Sequence, residues 1–81
     1  MTCRDEILIC ANRIVAERGS NDFTIDDILT CMRAHGTAYT ESTIRTHITS
    51  RMCRNAPKHH GTTYDDLERV DRGVYRLVRP V

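Results

Sequence analysis

Three threonines stand directly before the three amphipathic stretches of this chain, and each can serve as a helix N-cap. Thr2 is followed three residues later by Asp5, and Thr24 is followed three residues later by Asp27. In such a capping box the threonine hydroxyl accepts from the later backbone N–H, and the later side chain accepts from the N–H of the cap. The sequence therefore predicts two helices with defined starts, and Thr40 predicts the start of a third.

The apolar residues behind these caps recur at helical spacing. The helices are predicted over residues 3–18, with Gly19 as a C-cap, over residues 25–34 and over residues 41–53. Their inward faces are Ile7, Leu8, Ala11, Ile14 and Val15 in the first, Ile25, Ile28, Leu29 and Met32 in the second, and Ile44, Ile48 and Met52 in the third. The third stripe covers only about 80° at about 100° per residue, so most of that helix's surface is left for another task.

The last part of the chain is predicted to form a β-hairpin over residues 66–78. Gly73 supplies the positive φ angle that the hairpin turn needs, and Tyr75 and Leu77 point to one face, which we assign to the core. Residues 54–63 are predicted to form a loop. Three helices and a hairpin make an α+β fold in one domain over residues 1–81.

Charge is distributed unevenly along the 81 residues, although the net charge is only +1. Residues 1–41 carry four cationic and seven acidic side chains, and residues 65–81 carry four of each. Residues 42–64 contain no carboxylate, and their cationic residues are Arg45, Arg51, Arg54 and Lys58. This carboxylate-free stretch predicts a surface for a polyanion, with a chance run on a solvated face as the alternative.

The order of helix, capped helix, short turn, capped helix, loop and hairpin resembles that of winged helix-turn-helix domains. Residues 40–48 (TESTIRTHI) resemble the start of a recognition helix, and residues 67–77 (LERVDRGVYRL) resemble a wing hairpin with its returning strand. Together with residues 55–57 and Tyr64, they are similar to small bacterial winged-helix modules, some of which lie beside or within restriction-type nucleases and mobile-element proteins. The resemblance implies that the third helix enters the major groove of double-stranded DNA and that the wing lies on the backbone or minor groove.

The outward side of the predicted third helix is rich in hydroxyl groups. The candidate DNA contacts there are Thr40, Ser42, Thr43, Arg45, Thr46, Thr49 and Ser50. Hydroxyl groups bond to phosphates and base edges, whereas arginine makes the bidentate contact with guanine, so Arg45 is the predicted base reader. His47 borders this face, and Cys53 is predicted to join it at the far end. A solvated polar face without a ligand is the alternative.

The remaining candidate contacts are basic residues of the loop and the wing, namely Arg54, Lys58, Arg69 and Arg72. Arg72 is favoured for a phosphate or minor-groove contact because it lies at the predicted tip of the hairpin. For Arg69 an ion pair with Glu68 or Asp71 is the alternative. Asn55 or His60 is expected to hydrogen-bond within the loop and fix its path.

The four cysteines are expected to be free thiols in a cytoplasmic protein, nucleoid-associated if it binds DNA. Their spacing is irregular, no CxxC pair occurs, and we find no secretory signal and no membrane-spanning stretch. His59 and His60 with Cys53 lack a fourth ligand at a zinc-like spacing, so no metal or other cofactor is expected. The chain has no P-loop, nucleophile elbow or HExxH segment, so we do not expect an enzyme.

The sequence thus predicts a double-stranded DNA-binding module, either a small transcriptional regulator or the targeting domain of a larger nuclease or regulatory protein. The alternative is a winged-helix protein-interaction domain without direct DNA binding. Single-strand or RNA binding is disfavoured because only four aromatic residues are available for stacking. The chain ends soon after the wing strand, without a further dimerisation helix, and both monomer and homodimer stay open.

Overall fold

The computed structural model describes residues 1–56 and 64–80, and within them it shows three helices and a three-stranded antiparallel sheet. The elements are α1 (Cys3–Arg18), β1 (Phe23–Thr24), α2 (Ile25–Ala34), α3 (Glu41–Thr46), a π-helical segment (His47–Arg51), β2 (Leu67–Asp71) and β3 (Val74–Leu77). The predicted α+β class is confirmed. In the described part of the chain, none of the helices is long and apolar enough to cross a membrane.

All three predicted N-caps are present. The Thr2 hydroxyl accepts from the Asp5 N–H at 3.2 Å, and the Asp5 carboxylate accepts from the Thr2 N–H at 3.1 Å. Thr24 and Asp27 form the same reciprocal pair at 3.1 and 2.8 Å. The hydroxyl of Thr40 accepts from the backbone N–H three residues later at 3.2 Å. These bonds satisfy amide groups that have no partner inside the helix, and so they fix where each helix begins.

The sheet has β3 in its centre, in the order β1-β3-β2. Gly73 joins β2 to β3 with a φ angle of 69°, so the hairpin predicted over residues 66–78 is confirmed. Thr24 was predicted only as a helix cap, but together with Phe23 it also forms the short strand β1, in which Phe23 is the register partner of Tyr75. This pairing joins the start of α2 to the sheet.

The core lies between the three helices and the inner face of the sheet. Its side chains of less than 2% exposure and largest volume are Phe23, Ile7, Ile28, Met32, Ile44, Ile48, Met52, Leu67, Leu77 and Cys53. Tyr75 and Leu77 point inward, as predicted from their alternation. Leu8, Ile14, Val15 and Ile25, which were predicted on inward faces, are only partly buried at the margin of this core.

The prediction of one helix over residues 41–53, with Cys53 on its outward face, is wrong. After Thr46 the helix widens into the π-helical segment, in which the Met52 N–H donates to the His47 carbonyl at 2.8 Å. Met52 lies in the core as predicted, at 0% exposure, but the wider turn breaks the regular 3.6-residue spacing and brings Cys53 into the core as well, at 2% exposure. Cys53 then forms a parallel bridge with Leu67 of β2.

The expectation of four free thiols is also wrong. Cys10 of α1 and Cys31 of α2 form a disulfide, because the packing of the two helices places their Cα atoms 6.0 Å apart, within the range a disulfide spans. Cys3 and Cys53 remain free thiols and are buried. Burial, with a smaller contribution from Glu6, raises the pKa of the Cys3 thiol. The disulfide links α1 to α2.

Asp66 is a buried carboxylate that joins three parts of the chain. It accepts two hydrogen bonds from the Arg4 guanidinium, at 2.8 and 2.9 Å, and lies 3.5 Å from Arg79. The Arg4 guanidinium also lies 4.0 Å from the centroid of the Tyr64 ring. A buried carboxylate is stable only when it is paired and hydrogen-bonded. This cluster therefore connects the start of α1 to the residues that flank the hairpin.

Acid is expected to destabilise the fold below about pH 4.5, because several carboxyl groups gain partners on folding. For Asp27, burial raises the pKa, but hydrogen bonds from the Thr24 backbone and from Arg18 outweigh it and lower the pKa overall. Arg45 lowers the pKa of Glu41, and Arg76 that of Glu68, each mainly by a hydrogen bond. Such groups stabilise the fold above their unfolded pKa values, and that contribution is lost as the pH falls through the lowered folded values.

Thermal unfolding followed by circular dichroism across this pH range measures the effect. In Asp27→Asn the amide oxygen can still accept from the Thr24 N–H but does not titrate, so this variant should lose less stability on acidification than the wild type. A wild-type midpoint that stays constant down to about pH 3 would contradict the expectation, because most carboxyl groups have then begun to protonate.

Candidate nucleic-acid interface

The hydroxyl groups along α3 and the π-helical segment are largely engaged with the helix itself. Thr46 and Thr49 each donate to the carbonyl oxygen four residues earlier, at 3.0 and 2.8 Å. Thr40 donates to the hydroxyl of Thr43 at 3.0 Å while it caps α3. A hydroxyl has a single donor hydrogen, so these threonines present acceptor lone pairs outward. A hydrogen bond from them to a phosphate requires the hydroxyl to rotate first.

Ser42 and Ser50 differ from these threonines. Both are exposed, and within residues 1–56 and 64–80 neither side chain has a hydrogen-bond partner. Thr43 is half-buried and shares its hydroxyl with Thr40. Of the predicted hydroxyl contacts, the two serines are therefore the exposed ones that can donate to a ligand at no cost to the helix.

The predicted base reader, Arg45, is held by two carboxylates. Its Nε donates to Glu41 at 2.9 Å, and its Nη2 lies 3.7 Å from an oxygen of Asp26 in α2. Glu41 also accepts from Arg33 at 2.8 Å. The hydrogen bond from Arg45 keeps the pKa of Glu41 below its usual value. Surface ion pairs of this kind contribute only about 0–1 kcal/mol, so Arg45 can leave them at low cost.

The chain that follows the π-helical segment runs along the outer edge of β2. The Arg54 N–H donates to the Leu67 carbonyl at 2.8 Å, next to the bridge between Cys53 and Leu67. The side chain of Asn55 donates to the Arg69 carbonyl at 2.9 Å and accepts from the Arg69 N–H at 3.1 Å. Asn55 also accepts from the Cys53 thiol at 3.0 Å, so within the described residues it joins the chain after the π-helical segment to the hairpin. These contacts fix the position of the helix end against the hairpin.

The cations of this region differ in how far they are neutralised. Arg54 lies 3.3 Å from Glu68. The Arg69 guanidinium donates only to the Asp71 backbone carbonyl, at 3.3 Å, and Arg72 contacts Asp71 only through its own backbone N–H. Among the described residues, neither Arg69 nor Arg72 forms an ion pair, so the alternative pairing of Arg69 with Glu68 or Asp71 is not seen.

Arg51 is a candidate that sequence reasoning did not single out as a contact. It ends the π-helical segment, is exposed, and has no ion pair within the part of the chain that the structure describes. Its carbonyl accepts from the Tyr64 N–H at 2.6 Å, so the chain returns beside it on the way to β2. The signal for it was its place in the carboxylate-free stretch. Lys58, His59 and His60 lie outside the described residues.

The sequence pattern of one protein family, a domain of unknown function named DUF7669, matches residues 6–77. The chain belongs to the DUF7669 family. No curated protein and no solved structure matches it. The matched residues run from the first turn of α1 to the end of β3, so the DUF7669 domain includes every element of this fold.

In the described part of the DUF7669 domain, one group of side chains has the spacing of a metal site. It consists of Cys10, Cys31 and His35, whose ligand atoms all lie within 4.8 Å of one another. The two sulfur atoms are joined in the disulfide. This group lies on α1, on α2 and at the C-cap of α2, and it includes none of the predicted DNA contacts.

Proposed function

We propose that this DUF7669 domain binds double-stranded DNA as a winged helix-turn-helix module, in a small regulator or as the targeting domain of a larger protein. The proposal depends on three cations that we call the wing-side arginines, Arg51, Arg69 and Arg72. In the described part of the chain, none of them forms an ion pair with a carboxylate. The order of three capped helices and a hairpin supports the winged-helix assignment.

Unpaired guanidinium groups favour a polyanion over a protein partner. Each phosphate that such a group neutralises releases condensed counterions, which is the main source of sequence-independent DNA affinity. The hydrogen bonds between Asn55 and the backbone of Arg69 hold the chain after the π-helical segment against the wing, so this backbone does not have to be ordered on binding. Ordering of long side chains and loops is a large part of the cost of association.

In this proposal, α3 and the π-helical segment contact the DNA through hydroxyl groups. Ser42 and Ser50 are the exposed hydroxyl groups that are free to donate to phosphates or base edges. Arg45 would read guanine only after it leaves Glu41 and Asp26. Backbone anchoring by the wing-side arginines is therefore the primary contact in this proposal, and base reading by Arg45 depends on a rearrangement of its ion pairs.

Substitution of Arg69 and Arg72 by alanine in one variant is expected to weaken binding to a short random-sequence duplex about tenfold or more. Each lost phosphate contact should also reduce the slope of log affinity against log salt by about 1. Fluorescence anisotropy between about 50 and 200 mM salt measures both quantities.

Arg13→Ala with Arg18→Ala is the matched control, because it removes the same charge from α1. Equal losses in the two double variants would mean that only net charge matters. A wild-type protein that does not bind duplex DNA at low salt would contradict the proposed function itself.

A protein-interaction domain is the second candidate function, and the ion pairs of Arg45 favour it. Glu41 and Asp26 place two carboxylates beside the start of α3, where they would repel phosphates. Selection from a random duplex library at stated salt separates the two candidates. An enriched motif supports a DNA reader, and the absence of any duplex binding supports a protein partner.

A further inference from the structure

The Cys10–Cys31 disulfide has a histidine beside one of its sulfur atoms. His35 follows α2 as its C-cap, and its Nδ1 lies 3.8 Å from the Cys31 Sγ and 2.8 Å from the Cys31 carbonyl oxygen. Cys10 is only 4% exposed, whereas Cys31 is partly exposed. The two sulfurs therefore differ in both access and polar surroundings, with Cys31 as the accessible one.

Arg13 determines which nitrogen of neutral His35 carries the proton. The guanidinium of Arg13 contacts the Nε2 of His35, and an arginine can only donate in a hydrogen bond. In neutral His35, Nε2 therefore provides the lone pair, and Nδ1 carries the hydrogen. That N–H faces the Cys31 carbonyl and the Cys31 sulfur. An N–H donor and a nearby guanidinium both favour a thiolate over a thiol at this sulfur.

Open cavities lie on both sides of the disulfide. One of about 400 Å³, lined in part by Arg13 and Cys31, lies between α1 and α2. Another of about 500 Å³ is lined in part by Cys10, Met32 and His35. Both cysteines thus border open space, and the partly exposed Cys31 is the one that a small thiol can reach.

We propose that Cys10, Cys31 and His35 form a thiol–disulfide exchange site whose co-reactant is a small dithiol. A thiolate of the dithiol attacks the Cys31 Sγ and the S–S bond breaks. Cys10 leaves as a thiolate and takes a proton from water. The second thiol of the reductant, as a thiolate, attacks its own sulfur in the mixed disulfide, and Cys31 leaves as a thiolate beside the Nδ1–H of His35. Two electrons pass to the protein, and the dithiol ends as its cyclic disulfide. The site is independent of DNA binding.

In the oxidising direction the same arrangement makes Cys31 the attacking sulfur. Cys3 and Cys53 are buried free thiols and take no part. The reduced protein should therefore contain one fast thiol, Cys31, and three slow ones. His35 acts by holding a proton donor at the sulfur, so its replacement should change the pH profile of Cys31 and not merely the stability of the fold.

The test uses the full chain, equilibrated in mixtures of reduced and oxidised dithiothreitol, alkylated with iodoacetamide and analysed by peptide mass spectrometry. We expect a reversible Cys10–Cys31 equilibrium. In the reduced protein, the alkylation midpoint of Cys31 should lie about one pH unit or more below the ordinary value for cysteine, about 8.5. His35→Ala should return this midpoint to the ordinary value for cysteine. It should also lower the rate at which Cys31 is alkylated about tenfold at neutral pH.

Two further variants make the result specific. His35→Asn keeps an N–H donor near the sulfur and should restore part of the effect, and His47→Ala should leave Cys31 unchanged because its ring bonds to Thr43 instead. If the pH profile of Cys31 alkylation is the same in the wild type and in His35→Ala, the proposal is overturned. The proposal would also be overturned if one equivalent of Zn²⁺, added alone to the reduced protein, protected both cysteines from alkylation. The group would then be a metal site.

Discussion

Phe23→Ala is expected to lower the free energy of unfolding by about 4 kcal/mol, the largest effect of any substitution considered for this domain. Phe23 is 1% exposed and is the largest of the fully buried side chains in the core. It is also the register partner of Tyr75 in the pairing of β1 with β3, directly before the Thr24 cap of α2. Its loss leaves a cavity where the helices meet the sheet. Urea unfolding followed by circular dichroism measures the change.

The expected loss is comparable to the whole stability of a chain of this size, about 4–12 kcal/mol. Phe23→Ala should therefore be partly unfolded even without denaturant. Ile9→Ala is the matched control, since Ile9 is an apolar residue of α1 that is 53% exposed, and its change should stay below about 0.5 kcal/mol. A loss below about 1 kcal/mol in Phe23→Ala would show that β1 does not hold the sheet against the helices.

Reduction of the Cys10–Cys31 disulfide is expected to lower the free energy of unfolding by about 3 kcal/mol. The bond joins residues 21 positions apart, and its main effect is to restrict the unfolded chain, which regains that entropy when the bond is cut. Urea unfolding of the wild type with and without a phosphine reductant measures the difference directly. The two buried free thiols, Cys3 and Cys53, are present in both samples and cancel in the comparison.

Cys10→Ala with Cys31→Ala provides the control, because the reductant should not change its unfolding midpoint. If reduction shifts the wild type and the double variant equally, the effect does not come from this bond. If reduction shifts neither, the link between α1 and α2 contributes nothing to stability. Either outcome leaves the reactivity of Cys31 open to its own test, since exchange and stabilisation are measured separately.

The helix starts and the hairpin could be predicted from the sequence because they depend on local interactions. Each capping box joins residues three positions apart, as in Thr2 with Asp5 and Thr24 with Asp27. The positive φ angle at Gly73 is likewise a property of a tight turn. Such interactions depend on neighbours in the chain and little on the rest of the fold, so the pattern of residue types was sufficient.

The elements that were missed depend on residues far apart in the sequence. The pairing of Phe23 with Tyr75 joins residues 52 positions apart, and a two-residue strand has too little alternation to be recognised alone. Asp66 likewise accepts a hydrogen bond from Arg4, which lies 62 positions away in the sequence. No periodicity connects such partners, because their meeting depends on how the helices pack on the sheet.

The predicted end of the third helix was wrong for a related reason. Counting at 3.6 residues per turn assumes a regular helix, and the widening at the π-helical segment shifts every later side chain. That widening accompanies the burial of Cys53 and its bridge with Leu67 at the edge of β2. These are contacts between elements, and nothing local to the helix sequence indicates them.

The same division applies to the candidate site. The sequence alone determined three capped helices, the hairpin, and a stretch from Ser42 to Tyr64 that contains cations but no carboxylate. Only the tertiary structure decided which cations are neutralised. It brought Asp26 of α2 toward Arg45 and left Arg51, Arg69 and Arg72 without ion pairs among the described residues. The physical reason is that an ion pair requires charges within a few ångströms, and the packing of the elements sets that distance.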